Sequence, residues 1–134
     1  MTNQSKNEVA KTNENTLPRF EEAEDGVWNI HALSEIQISD LFGGGSEEFA
    51  KALMVHCGKI SGKRDRYKDD KNDAVAMIAE IAPQDGVEAM LATQMAAVQL
   101  AMMRHSAMMA GSETIQQLDI HERKFNKLAR TFTA

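Results

Sequence analysis

The sequence predicts an all-α protein: a small helical domain centred on a long Met-rich helix, which forms an antiparallel hairpin with the C-terminal helix, behind a disordered N-terminus. Three observations carry that expectation. The chain is 43% apolar but only 5% aromatic, so its apolar content is mainly Ala, Met, Leu and Ile, and Ala, Leu and Met are strong helix formers. Six of the nine methionines fall within residues 85–111, where Glu88 and Arg104 are the only formal charges between Gly86 and Ala110. Apolar residues also step by threes and fours through successive stretches, the spacing that puts them on one side of a helix.

Residues 1–26 read as a disordered acidic segment, polar and Asn-rich to Thr16 and then carrying Glu21, Glu22, Glu24 and Asp25. Leu17 and Phe20 are its apolar touch-points, suited either to a solvated tail or to a short docking peptide. A single helical domain is expected over 27–134, anchored at its start by Trp28, whose ring is too large to be left bare.

Ser34 and Gln37 have capping-box spacing for a short helix through Phe42, with Ile38, Leu41 and Phe42 on one face. The Gly43-Gly44-Gly45 run ends it, and Ser46 caps a helix to about Ile60 with Phe49, Leu53, Cys57 and Ile60 inward. A charged connection follows. Asn72 or Asp73 is expected to cap a helix over 74–82, with Val75, Ile78, Ala79 and Ala82 inward and Pro83 as the stop.

Asp85 and Glu88 form the next capping box. The central helix runs from there for about 25 residues, roughly 37 Å. Leu91, Met95, Val98, Met102, His105 and Met109 make a heptad-like seam along it. Met90, Ala97, Leu100, Ala101, Met103 and Met108 form a second apolar set, so the helix is expected to be buried on several sides or shared with another chain. After Gly111, Ser112 is the expected cap of the last helix, which starts at Glu113 or after Asp119. Leu118, His121, Phe125, Leu128 and Phe132 line its apolar side, and Arg123, Lys124, Lys127 and Arg130 its basic one. The pattern is still helical at Ala134, as in a truncated copy of a longer chain.

Charge is uneven: −7 over residues 1–50 and +2 over 51–134. That balance argues against a wholly basic nucleic-acid binder and leaves the basic 59–71 loop as a sub-patch. Cys57 is the only cysteine, which excludes an internal disulfide and a cysteine zinc cluster. The N-terminus has no apolar core of a secretory signal, and a cytoplasmic location is expected.

Motifs for chemistry fail one by one. Residues 58–64 have glycines one residue too close for a phosphate loop, and Arg64 stands where a Ser or Thr would hold magnesium. There is no paired-histidine zinc helix and no Glu-x-x-His pair. His105 sits on the apolar seam and reads as a core or interface histidine. A joint role with His121 would require the hairpin to bring the two rings together. No cofactor, metal site or catalytic set is therefore expected.

Two stretches, Val87-Glu88-Ala89-Met90-Leu91-Ala92-Thr93-Gln94-Met95-Ala96-Ala97-Val98 and Phe125-Asn126-Lys127-Leu128-Ala129-Arg130-Thr131-Phe132, resemble a group of small uncharacterised helical proteins encoded in bacterial prophages and related mobile elements. The resemblance covers roughly the second half of the chain. In that group the last helix usually continues into a polar tail that this sequence lacks. It implies a cytoplasmic, phage-associated setting and no activity.

The expected function is a non-enzymatic helical assembly or adaptor protein that self-associates, or takes a protein partner, through Leu91, Met95, Val98, Met102, Met109, Phe125, Leu128 and Phe132. Met-rich faces suit adaptable interfaces as well as irregular cores. The alternative is a DNA-associated accessory protein contacting phosphates through Lys59, Lys63, Arg64, Arg66 and Lys68, with help from the basic face of the last helix. No membrane span is expected, because Gln94, Gln99 and Arg104 interrupt the one long apolar stretch.

Overall fold

A computed structural model describes residues 17–32, 34–60 and 69–133, without the side chains of residues 35, 36, 132 and 133. Strands β1 (Arg19–Glu22) and β2 (Trp28–His31) come first, then helices α1 (Glu35–Leu41), α2 (Glu47–Gly58), α3 (Asp70–Ile81), α4 (Gly86–Ala110) and α5 (Ile115–Thr133). The protein is mostly helical, and the long Met-rich helix α4 packs against the C-terminal α5. Two compact units divide the chain inside α4, the first ending at Thr93 and the second beginning at Gln94, where a single domain was expected over 27–134.

The acidic segment expected to be disordered to residue 26 instead contributes β1, paired antiparallel with β2 in the register Phe20 to Ile30. Residues 1–16 of that segment lie outside the described residues. Alternation explains the strand, since Phe20 is buried while Arg19 and Glu21 face solvent. The turn is an Asp-Gly signal in a five-residue loop. Asp25 accepts the Val27 N–H at 3.0 Å, and Gly26 takes φ +78°.

The helix starts follow their caps. Ser34 Oγ accepts from Gln37 N at 3.3 Å and Ser46 Oγ from Phe49 N at 3.2 Å. At α4, Asp85 accepts from Glu88 N at 2.9 Å, while the Glu88 carboxylate accepts from Gln84 N at 2.7 Å, one residue earlier than in the usual box. The same shifted arrangement starts α5: Thr114 accepts from Gln117 N, and Gln117 Oε1 from Glu113 N, both at 3.1 Å. Ser112, expected to cap α5, donates to Met108 O at 2.7 Å and closes the end of α4 instead.

Helix α1 ends in a Schellman turn. Gly44 N donates to Ser39 O and Gly43 N to Asp40 O, with Gly43 at φ +88°. A Cβ at Gly43 would stand 2.8 Å from the Asp85 backbone nitrogen, so the turn is glycine for its conformation and for its closeness to the start of α4.

Helix α3 begins four residues before the expected start, at Asp70, and its cap position Asp69 makes no side-chain capping bond. Asn72, expected as a cap, is used elsewhere. Its carboxamide oxygen accepts from Phe20 N at 2.8 Å and its amide donates to Phe20 O at 3.1 Å. One side chain thus does for β1 what a third strand's peptide would do. At the other end Ala82 closes the helix in the left-handed region, φ 51°, immediately before the buried Pro83.

The core of the first unit is built from Phe42, Met54, Cys57, Val75 and Ile78, all essentially sealed from solvent. Fully burying one such side chain is worth about 1.5–3 kcal/mol. The inward face of α2 is Ala50, Leu53, Met54 and Cys57, turned by about a residue from the expected one, which leaves Phe49 and Ile60 half-buried. On α3, Ala82 is exposed and Ala74 is buried in its stead. On α4 the buried stripe is Ala89, Ala92, Thr93, Ala96 and Leu100, mostly small residues, and not the Leu and Met seam.

Candidate functional site

Two places gather side chains with chemistry. The first ties the β-hairpin to α2 and α3. Lys71 is buried, donates through Nζ to Gly58 O at 2.7 Å, and holds that ammonium 4.9 Å from the centre of the Trp28 ring. Burial holds the Lys71 pKa below the usual lysine value, while Asp70 and Glu22 pull it back up. A Cβ on Gly58 would come 3.1 Å from the Phe20 ring, so helix end and ring are in contact. Phe20, Trp28, Gly58, Lys71 and Asn72 therefore form one structural joint. Sequence reading found Trp28 as an anchor, took Asn72 for a candidate helix cap and missed Lys71, because a lysine before an apolar run looks like a solvated first-turn residue.

Nearby groups are inert in this setting. Cys57 is buried and its thiol is pushed up to about 11, so the nucleophilic thiolate is scarce at neutral pH. Burial, helped by Asp70 and Asp69, raises the Asp73 carboxyl above its usual range. An open cleft of about 520 Å³ beside α1 and α3 is lined by Pro18, Gln37, Leu41 and Ala79, with Asp40 the one ionisable group among the described residues that line it. Ser34 also lines it, but its hydroxyl is engaged by Gln37 N. Among the described residues no group of three or more His, Cys, Asp or Glu is placed to hold a metal ion.

The second place is the hairpin of α4 and α5. The short Gly111–Thr114 connection folds α5 back on α4 and brings His105 and His121 together, Nδ1 to Nδ1 at 3.2 Å. One imidazole must donate and the other accept. Burial first, then the positive groups Lys124, His121 and Arg104, hold the His105 pKa below the ordinary imidazole value.

The expected interface residues are half-covered or bare. Val98, Met102, Met109, Phe125 and Leu128 are half-buried, and Met95 is 47% exposed. Leu91, on the part of α4 in the first unit, is 53% exposed. The Phe132 side chain lies outside the described residues. Met103, Leu118 and Ile115 add bare apolar surface, Ile115 at 86%. After Leu100 no described residue is buried.

Of the basic candidates, Lys59 is exposed at the end of α2, and Lys63, Arg64, Arg66 and Lys68 lie outside the described residues. Arg123, Lys124, Lys127 and Arg130 are exposed along α5, with Arg123 paired to Asp119 at 2.9 Å. Among the described residues no helix is long and apolar enough to cross a membrane. No family model, curated protein or solved structure matches the chain significantly.

Proposed function

We propose that the protein is a non-enzymatic helical assembly or adaptor protein, of the kind a prophage-like element encodes, and that it self-associates through the α4–α5 hairpin in the cytoplasm. One observation carries the reading: a hairpin of the apolar helix α4 and the amphipathic helix α5 whose apolar seams are only half-covered within one chain. Two helices can cover each other on one side only. A second copy's hairpin laid across Val98, Met102, Phe125 and Leu128 would complete a four-helix arrangement with the seams inside. Methionine suits such a face, because its flexible thioether repacks against whatever shape it meets.

Light scattering or sedimentation at tens of micromolar tests this directly. A dimer or larger species is expected, and Met102→Glu with Phe125→Glu should return it to monomer while α2 and α3 stay folded. A strict monomer at that concentration overturns the reading. A second reading, contact with nucleic-acid phosphates, is favoured by the exposed basic side chains along α5 and by Lys59. Fluorescence anisotropy with a labelled duplex at low salt separates the two: binding that falls steeply with salt and is lost in Lys124→Glu with Lys127→Glu supports it.

A further inference from the structure

We propose that the His105–His121 pair is a pH-operated clasp on the α4–α5 hairpin, closed while at least one of the two rings is neutral and opened when both are imidazolium. The ring centres are 5.4 Å apart and the Nδ1 atoms 3.2 Å apart, so the two nitrogens lie nearly on the line joining the rings. Each nitrogen is aimed at the other rather than at a third point, which is the geometry of an N–H···N hydrogen bond and not of two ligands converging on a metal. That bond needs one protonated and one bare Nδ1. A neutral ring can supply the bare Nδ1 by carrying its proton on Nε2, but when both rings are imidazolium two N–H groups carrying like charge face each other at hydrogen-bond distance.

Among the described residues, the charged groups that act on His105 add to that charge. The groups acting on His105 are His121 and Lys124 from the facing helix and Arg104 from its own, all basic. The carboxylate of Asp119, on the same helix as His121, is engaged by Arg123 at 2.9 Å. The lowered His105 pKa has a definite sign. A histidine harder to protonate in the folded hairpin than in the unfolded chain contributes stability that is present above the ordinary imidazole value, about pH 6.5, and is lost as pH falls below it through the lowered folded value. The rest of the hairpin resists opening weakly, since no described residue beyond Leu100 is buried. The clasp concerns the hairpin of one chain and does not require a second copy.

Amide hydrogen exchange on the full chain, with rates corrected for intrinsic pH dependence, tests it at about pH 7.5 and about pH 5.0, either side of the imidazole range. Peptides from α5 should lose at least about tenfold in protection at the lower pH, while peptides from α2 and α3 keep theirs. In the double variant His105→Leu, His121→Leu, which cannot titrate, α5 protection should be equal at both values. Equal wild-type protection at both pH values, or a pH-dependent loss that survives in the double variant, overturns the proposal. Should the double variant leave α5 unprotected even at the higher pH, side-chain NMR of the wild type decides. A His105 ring that stays neutral well below the ordinary range and yields only as α5 loses protection supports the clasp, and one that titrates like a free imidazole refutes it.

Discussion

The two units use their apolar residues in opposite ways. Up to Thr93, modest helices with ordinary composition bury Phe42, Met54, Cys57, Val75 and Ile78 completely, and a joint of Trp28, Lys71 and Asn72 fastens a small sheet to them. From Gln94 onward the sequence is far richer in methionine, yet among the described residues only Ala96 and Leu100 are buried. Hydrophobic content is thus a poor guide to burial here. What decides burial is how many neighbours a helix has, and α5 is amphipathic without a single buried position among its described side chains. The self-association proposed above would cover a surface of that kind.

The largest test of the contrast swaps the same side chain in the two units. Met54→Ala removes a sealed core side chain and should cost about 2–5 kcal/mol. Met103→Ala, at a site 48% exposed, should stay within about 0.5 kcal/mol at concentrations where the chain is monomeric. Urea unfolding read by Trp28 fluorescence measures the first, and hydrogen exchange of α4 the second. Comparable losses at both sites would abolish the distinction between the units.

Asn72→Ala comes next. It leaves the Phe20 N–H and C=O without their side-chain partner, at a cost of about 1–3 kcal/mol. Because the loss falls on the joint, Trp28 emission should shift to the red before α2 and α3 unfold. Cys57 offers a further check on the first unit. Its thiol pKa is raised by burial from 9.0 to about 11, so its contribution to stability is complete below about pH 9 and is lost as pH rises toward 11. Alkylation of Cys57 at neutral pH should therefore proceed only as fast as the unit opens. Reaction at the rate of a free thiol would place the sulfur at the surface.

Much of this fold was legible because capping is local. Ser34, Ser46 and the Asp85–Glu88 pair begin the helices they were expected to begin, and Pro83 stands just past the end of α3. What was not legible depended on long-range partners. Asn72 has the chemistry of a cap, but Phe20, more than fifty residues earlier, claims both ends of its carboxamide. Thr114 and Gln117 form a capping box as readable as the others, and Ser112 drew attention from it by having the same chemistry next to Gly111. The buried stripe of α4 was not legible, because a seam stands out by its large side chains, whereas Ala89, Ala92, Thr93 and Ala96 are small and Leu100 is the one large member. The Asp25-Gly26 turn between two short alternating stretches was the available signal for the hairpin, and the acidic composition around it obscured it.

Smaller effects sharpen the comparison further. Thr114→Ala removes the cap of α5 and should cost about 1 kcal/mol. With no described side chain of α5 buried, that loss has little packing to hide behind, so exchange across the helix should quicken about fivefold. Ser46→Ala removes an equivalent bond from α2, but there the buried Leu53, Met54 and Cys57 hold the helix, and exchange should change only in the first turn.

The smallest expected effect is at the Arg123–Asp119 ion pair. It closes at 2.9 Å with the right i, i+4 spacing, yet its side chains are 77% and 52% exposed. Water screens both charges, and ordering two long side chains costs entropy, so Asp119→Asn should change α5 stability by no more than about 0.5 kcal/mol. The prediction has diagnostic value because Asp119 lies on the same helix as His121, near the clasp. If the pair is only a surface contact, the variant should leave both the exchange of α5 at neutral pH and its acid sensitivity as they are. An acid sensitivity that grows markedly in the variant would mean that the Asp119 carboxylate partly neutralises a doubly protonated His105–His121 pair, and that α5 is held by its charges where the first unit is held by its core.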